Sequence, residues 1–358
     1  MATVVLAGGG TAGHIEPALA VARQWLKTNP SDTCIFIGTK SGLENTLVPP
    51  AGFDLRIIPK VKISRAPSIS WLRIPSDLIS SVLSAMKVLS NADVLIGFGG
   101  YVSAPAYIAA ALSRTPIVIH EANAKPGWAN RLGAVFTSHL AVAHSVEHGK
   151  FSDALLAGLP LRSDVANACV ASASDWANAR SAAKSRLGFP ADRPLVLIMG
   201  GSQGSLAINA IVEQSVAILN QKGISVLHSV GKLNTLPTPQ GGYKPVAYVD
   251  AMADAYLAAD LIIARSGAVT CSEFRALGRY ALFVPLPIGN GEQFVNAASL
   301  VSDGRAEVIT QKEFSSEFIE AHINRLLETA SHAPIAGDGQ DLDAAQKIVA
   351  LTEFALKS

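Results

Sequence analysis

Charge is scarce in this chain. Asp, Glu, Lys and Arg make up 16% of its 358 residues, against 49% hydrophobic residues. That balance excludes a disordered chain and supplies generous cores. Cysteine is scarcer still. Cys34, Cys169 and Cys271 are odd in number and far apart, which excludes a disulfide framework and fits a reducing compartment. No His/Cys cluster has metal-ligand spacing. The one Asp-x-Asp, Asp341-Leu342-Asp343, lies in the C-terminal tail and reads as a helix start, so neither a metal nor a cofactor is expected. There is no Gly-x-Ser-x-Gly elbow and no Walker lysine. No apolar run approaches the ~20 residues of a membrane span, and no basic, apolar leader precedes the first strand-like run, so no signal peptide is expected. Net charge is only +1, with 13 Lys and Arg against 9 Asp and Glu in residues 1–157 (+4) and a balance of −3 in the remainder. The mildly basic first half suits a phosphate or a membrane surface. It falls short of the basic face that nucleic acid demands, so no nucleic-acid partner is expected.

Glycine, by contrast, is concentrated in two turns. Gly8-Gly9-Gly10-Thr11-Ala12-Gly13-His14 follows the apolar run Thr3-Val4-Val5-Leu6-Ala7, and Gly200-Gly201-Ser202-Gln203-Gly204-Ser205 follows Leu195-Val196-Leu197-Ile198-Met199. Each reads as strand, tight turn, helix. Such a turn lets backbone N–H groups approach an anion at a helix N-terminus. Two copies, each opening one half of the chain, point to two phosphate-binding domains facing a shared cleft.

Short apolar runs alternate with helical patterns in both halves. In the first, runs at 3–7, 33–38, 55–59, 93–97, 116–120 and 139–143 frame a helix over 15–27 and another over 75–89. The latter is expected to bury Leu78, Ile79, Val82, Leu83, Met86 and Leu89. In the second half the runs fall near 195–199, 225–230, 245–249, 261–265, 281–285 and 306–309. Strands apolar throughout are covered on both faces, and the alternation indicates doubly wound parallel sheets. The pattern breaks near 158–162. This predicts an N-terminal domain over 1–160, a second domain over 161–338, and a helix within 339–358 returning to the first.

Ligands bind at the carboxyl ends of strands in such sheets, and the polar residues cluster there. His14 opens a helix, whose dipole keeps an imidazole neutral and able to accept a proton. Glu121 and Asn123 follow the run at 116–120, and Glu121 is suited to a sugar or acceptor hydroxyl. Arg265-Ser266-Gly267 precedes a helix carrying Glu273, a carboxylate suited to ribose hydroxyls, while Glu292-Gln293 after Gly289-Asn290-Gly291 suits a sugar. Gly8–Gly13 also satisfies the dinucleotide fingerprint, but the second run ends Gly38-Thr39-Lys40 without the acid that NAD requires. Lys40 would suit the 2′-phosphate of NADP, a reading that leaves the second glycine turn without a task. A scaffold that only binds a sugar nucleotide is the non-enzymatic reading. Lys60, Lys62, Arg65 and Arg73, among Ile63, Ile69, Trp71, Leu72 and Ile74, read equally as domain packing or as an anionic-lipid patch.

Gly8–His14, Gly99-Gly100-Tyr101-Val102-Ser103, His120-Glu121-x-Asn123, Gly200–Gly204, Arg265–Thr270 with Glu273, and Gly289–Gln293 with Asn296 occur here in one order across essentially the whole chain. In this the chain resembles the MurG family of cell-wall glycosyltransferases. The resemblance implies a GT-B architecture, two Rossmann-like domains separated by a deep cleft. It implies inverting, metal-independent transfer of N-acetylglucosamine from UDP-N-acetylglucosamine to the C4 hydroxyl of the muramyl residue of lipid I, giving lipid II and UDP at the cytoplasmic face of the cell membrane. Carried over by position, it makes His14 and Glu121 catalytic and assigns Gly10, Thr11, His14, Tyr101, Glu121 and Asn123 to the acceptor. Thr11, Gly13, Asn123, Arg162, Ser202, Gln203, Met252, Arg265, Ser266, Glu273, Gln293 and Asn296 go to the donor. The chain departs from the family pattern at Ala122, Leu159 and Arg279-Tyr280.

Overall fold

In the computed structural model, which describes residues 1–61, 74–287, 291–334 and 337–358, the chain divides into two units. The first is Met1–Arg162 with Gln340–Ser358, and the second is Ser163–Gly339. The first contains β1 (Thr3–Gly8), α1 (Ala12–Thr28), β2 (Thr33–Gly38), α2 (Glu44–Leu47), β3 (Asp54–Ile57), α3 (Ile74–Leu89) and β4 (Val94–Gly99). It continues with α4 (Ser103–Ser113), β5 (Ile117–Glu121), α5 (Trp128–Gly133), β6 (Leu140–Val142) and β7 (Leu155–Leu156). The second contains α6 (Ser163–Ser174), α7 (Trp176–Arg186), β8 (Leu195–Met199), α8 (Leu206–Gln221), β9 (Ser225–Ser229), β10 (Tyr243–Val246) and α9 (Met252–Ala258). Then come β11 (Leu261–Ala264), α10 (Ala268–Ala276), β12 (Ala281–Phe283), α11 (Glu292–Ser302), β13 (Ala306–Val308) and α12 (Ser316–His332). The last helix, α13 (Ala344–Ala355), belongs to the first unit.

Each unit is built on one parallel sheet. The orders are β3-β2-β1-β4-β5-β6-β7 and β10-β9-β8-β11-β12-β13. Both reverse direction once, between β1 and β4 and between β8 and β11. A crevice opens at such a switch point, beyond the carboxyl ends of the two strands. The central strands are buried along their length, as the apolar runs require when helices cover both faces. In the first unit, one core joins Leu6, Ile96 and Phe98 to Trp25 of α1 and to Ile348 and Val349 of α13. The opposite face packs Leu95 and Ile119 against Tyr107 of α4 and Val82 of α3.

Two expectations are corrected. Helix α3 buries Ser81, Val82, Ala85 and Leu89, while Ile79 and Leu83 remain 60% and 55% exposed. The buried residues share one stripe at i, i+1, i+4 and i+8, and residues 79 and 83 fall on the neighbouring stripe. Strand β10 starts two residues earlier than the apolar run implied, because the turn at Gly241-Gly242 delivers Tyr243 into register with Val226. Its Pro245 is tolerated because β10 is an edge strand. The Asp341-Leu342-Asp343 stretch does start a helix, with Asp343 as the N-cap residue of α13, and Asp341 itself is 1% exposed, its Oδ1 accepting the Leu159 N–H at 2.8 Å. It therefore ties together the two stretches of chain that leave the first unit. Of the basic and apolar segment, Lys62 to Arg73 lie outside the described residues.

Candidate active site

The turn after β1 and the turn after β4 meet at the first switch point. Thr11 is the N-cap residue of α1 and makes no side-chain cap, and no acidic residue occupies the first turn. The positive end of the dipole is thus left to a ligand. His14 stands half-buried in that first turn, with Nδ1 3.0 Å from the Gly9 carbonyl oxygen and 3.2 Å from Thr11 Oγ1. A carbonyl only accepts, so Nδ1 carries the proton and Nε2 is the lone-pair nitrogen. Tyr101 lies beside Gly10, whose φ of +92° suits glycine and whose bare Cα lets the ring come close. Its hydroxyl is 3.0 Å from Thr39 Oγ1 and donates to Glu44 Oε1 at 3.2 Å. Lys60 Nζ sits 4.6 Å from the ring centroid.

Glu121 ends β5 and is 2% exposed. Its Oε1 accepts from the backbone N–H and the side-chain amide of Asn123, at 2.8 and 3.1 Å. Its Oε2 accepts from Gly127 N–H and Asn130 Nδ2, both at 2.9 Å. Asn130 in turn accepts from the Tyr107 hydroxyl at 2.7 Å. Four donors on one carboxylate leave it poorly suited to a substrate hydroxyl, contrary to the expectation for Glu121. It organises the 122–130 loop that presents Asn123, with Gly99 packed between Asn130 and the His14 ring. Removing the carboxylate takes this acceptor from all four buried or half-buried donors. Glu121→Ala is therefore expected to cost about 3 kcal/mol, a fall in Tm on the order of 6–12 °C for a domain of this size. An unchanged melting curve would rule this role out.

At the second switch point, the turn after β8 runs through Gly201 and Gly204, at φ +93° and +74°, into α8. Ser202 is half-buried and Gln203 exposed. Asn234 Nδ2 clamps this turn, donating to the carbonyls of Gln203 and Val230 at 3.1 and 2.8 Å. Beneath it Asn209 Nδ2 donates to the same Val230 carbonyl, and Asn209 Oδ1 is 3.1 Å from Nε2 of the buried His228. That assigns the proton to Nε2 and makes Nδ1 the acceptor of the Tyr243 hydroxyl at 2.9 Å. Burial pushes His228 down to about 4.

The folded value for His228 lies below that of an exposed histidine, near 6.5. The unfolded chain therefore binds the proton first. This contribution is intact above pH ~6.5 and is lost as pH falls toward 4, by roughly 3 kcal/mol in all. His120, also lowered by burial, adds to the same limb. Urea midpoints from pH 7 to 4.5 are expected to fall more steeply in the parent than in His228→Gln. Equal slopes would show that His228 is not held neutral.

Arg265 follows β11 and is 7% exposed. Nη1 donates to the carbonyls of Val284 and Pro285 at 2.7 and 3.0 Å, and Nη2 to Ser205 Oγ and Gln311 Oε1 at 2.8 and 2.5 Å. Burial lowers its pKa. The guanidinium was expected to meet phosphate; instead it braces the glycine turn against the ends of β11 and β12. Ser266 next to it is fully buried, and its hydroxyl lacks a hydrogen-bond partner among the described residues. Such an orphan beside a switch point marks a site. Glu273, in α10, is 2% exposed, with Oε2 accepting from the Tyr256 hydroxyl at 2.8 Å. One oxygen of the carboxylate expected to meet a ribose is thus held by α9, where Met252 is also buried. Gln293 Oε1 accepts from Leu286 N–H at 2.9 Å, and Asn296 Nδ2 donates to the Ser266 carbonyl at 3.3 Å. Gly289 and Asn290 lie outside the described residues. Arg162, half-buried, ends the first unit ahead of α6, and Gly13 lies half-buried in α1.

Of the remaining departures, Leu159 is fully buried and Ala122 5% exposed. Arg279 stacks 3.8 Å from the Trp176 ring centroid and donates to the Ala259 and Gly278 carbonyls. Tyr280 donates to Glu307 at 2.7 Å. The last two fill the lower edge of the second sheet, away from the carboxyl ends of its strands. Glu44, Asn130, Asn209, His228, Asn234 and Gln311 escaped the sequence reading, since none belongs to a local motif.

Two parallel-sheet α/β units, each with a glycine turn at its switch point, are the architecture of the GT-B glycosyltransferases. Residues 4–142 match the glycosyltransferase family 28 N-terminal domain and residues 195–348 the glycosyltransferase family 28 C-terminal domain. The UDP-N-acetylglucosamine--N-acetylmuramyl-(pentapeptide) pyrophosphoryl-undecaprenol N-acetylglucosamine transferase of Paenarthrobacter aurescens is 43% identical over 337 residues, covering 92% of this chain and 88% of that protein. The transferase of the same name from Corynebacterium glutamicum is 44% identical, covering 92% and 90%. The crystal structure of Acinetobacter baumannii MurG superposes with a TM-score of 0.68 at 27% identity, over 99% of this chain and all of that one. The chain belongs to glycosyltransferase family 28, in its MurG branch of peptidoglycan-synthesising transferases.

Proposed function

We propose that the chain transfers N-acetylglucosamine from UDP-N-acetylglucosamine to the C4 hydroxyl of the muramyl residue of lipid I, with inversion and without a metal. The observation that carries this reading is the chain-long identity to transferases whose name states that reaction, joined to a His14 tautomer suited to it. In the first unit, Gly10, Thr11, His14, Tyr101 and Asn123 hold the acceptor, and Glu121 shapes the loop that carries Asn123. In the second, Ser202, Gln203, Met252, Ser266, Glu273, Gln293 and Asn296 hold the UDP-sugar, with Arg265 behind them as a brace.

His14 Nε2 removes the acceptor proton as the O4–C1 bond forms and the bond from C1 to the UDP oxygen breaks. UDP leaves with the bonding electron pair. The charge that develops on it is met by glycine-turn N–H groups and by helix N-termini without side-chain caps, among them α10 and α11. Attack from the face opposite UDP gives inversion. The exposed Ile79 and Leu83 on α3 support a peripheral membrane face on the first unit. No helix among the described residues is long and apolar enough to cross a membrane.

The test is UDP release from UDP-N-acetylglucosamine with a soluble lipid I analogue, with and without EDTA, followed by NMR of the product linkage. Acceptor-dependent, EDTA-resistant release with a β-linked product is expected. Loss of release in EDTA, or an α-linked product, would overturn the corresponding part of the proposal.

A further inference from the structure

Glu44 was invisible in the sequence, yet it is a 1%-exposed carboxylate lodged against the first glycine turn. The fold is shaped around it. A Cβ added at Gly38 or Gly42 would run into its side chain. Its Oε1 accepts from Thr39 N–H at 2.8 Å, from the Thr39 hydroxyl at 3.3 Å and from the Tyr101 hydroxyl at 3.2 Å. Its Oε2 accepts from Gly10 N–H at 3.4 Å. That N–H and the Gly9 carbonyl are the two ends of one peptide group, and the Gly9 carbonyl accepts the Nδ1 proton of His14 at 3.0 Å. Carboxylate, peptide and imidazole therefore form one continuous chain.

We propose that Glu44 is the positioning residue for His14, acting through the Gly9–Gly10 peptide. The inference rests on the reading of His14 as the base. An amide is conjugated, so a negative charge accepting at its N–H pushes electron density onto its oxygen. The oxygen becomes a better acceptor for Nδ1–H, since linked hydrogen bonds polarise one another in a low-dielectric interior. The consequence is a fixed tautomer and ring orientation with the lone pair on Nε2. The same link turns Gly10 N–H inward to a protein carboxylate, so this N–H is spent on placing the base rather than on a ligand phosphate. Thr39 and Tyr101 hold the carboxylate in register.

Glu44→Gln keeps the shape and removes the charge. Glu44→Asp keeps the charge and withdraws it from Gly10 by one methylene, and serves if the first variant does not fold. The readouts are kcat and KM in the UDP-release assay and the ¹⁵N spectrum of the His14 ring in the full-length protein. Glu44→Gln is expected to lower kcat on the order of 10–100-fold, the usual size of an outer-partner effect, with the donor KM unchanged. The ring nitrogens should shift from one tautomer toward a mixture of two. Unchanged kcat overturns the proposal. So does a fall in kcat with the His14 spectrum untouched, since that is a structural effect only. Failure of the base reading is seen separately: a His14→Ala variant with normal kcat removes the base and with it the catalytic role of Glu44. A kcat loss in His14→Ala with no spectral response to Glu44→Gln overturns the Glu44 link alone.

Discussion

Replacing His14 with alanine is expected to lower kcat by a factor of about 10²–10⁴, the range of general-base catalysis, while affinity for UDP-N-acetylglucosamine stays within a few-fold of the parent. The expectation follows from the ring's two nitrogens doing different work. Nδ1 is committed to the Gly9 carbonyl, so proton transfer falls to Nε2. His14 is not among the residues proposed for the donor, so removing the imidazole is expected to leave donor binding in place. His14→Gln, which can still hydrogen-bond but cannot take a proton, is expected to be as impaired as His14→Ala. Rapid-quench measurement of a single turnover checks this against product release. A near-normal rate of transfer in His14→Ala would show that another group accepts the proton.

The second large effect is at Arg265. Arg265→Ala is expected to weaken donor use about 100-fold in kcat/KM, comparable to losing an element of a preorganised anion site, and to cost about 3 kcal/mol of stability. Four acceptors converge on this one guanidinium: two carbonyls beyond β12, the Ser205 hydroxyl that caps α8, and Gln311. Truncation leaves buried carbonyls unpaired and frees the N-cap of the helix that follows the glycine turn. Arg265→Lys is expected to recover little, because an ammonium cannot span the fork. The discriminating measurement is calorimetric titration of UDP alongside urea denaturation. A brace predicts that both suffer together. Lost UDP affinity at full stability would instead make Arg265 a direct phosphate ligand.

The legible part of the molecule was the part encoded in local pattern. The runs at β1, β4, β8 and β11 are apolar end to end because both faces of those strands are covered, and period and length alone distinguish them from the helices. The turns after β1 and β8 announced themselves because closely spaced glycines between a strand and a helix have few other uses. Where pattern was ambiguous, packing decided. Helix α3 carries more apolar residues than its buried stripe can hold, so Ile79 and Leu83 were left outside. Pro245 and the Gly241-Gly242 turn moved β10 by two residues.

The site divides along the same line. The residue types at the strand ends, and therefore the two glycine turns, the placement of His14 at a helix start and the class of chemistry, were settled by the amino-acid sequence, since they depend on neighbours within a few positions. Which carboxylates and cations are engaged by other parts of the protein was decided only by the tertiary structure. Glu121 spends both oxygens on its own loop, Arg265 spends its fork on four protein acceptors, and Glu44 reaches the glycine turn from 34 residues away. Hydrogen bonds are saturable and short-ranged, so a charged side chain's role is decided by which donors and acceptors the fold brings within hydrogen-bonding distance, and those come from parts of the chain that no local pattern connects.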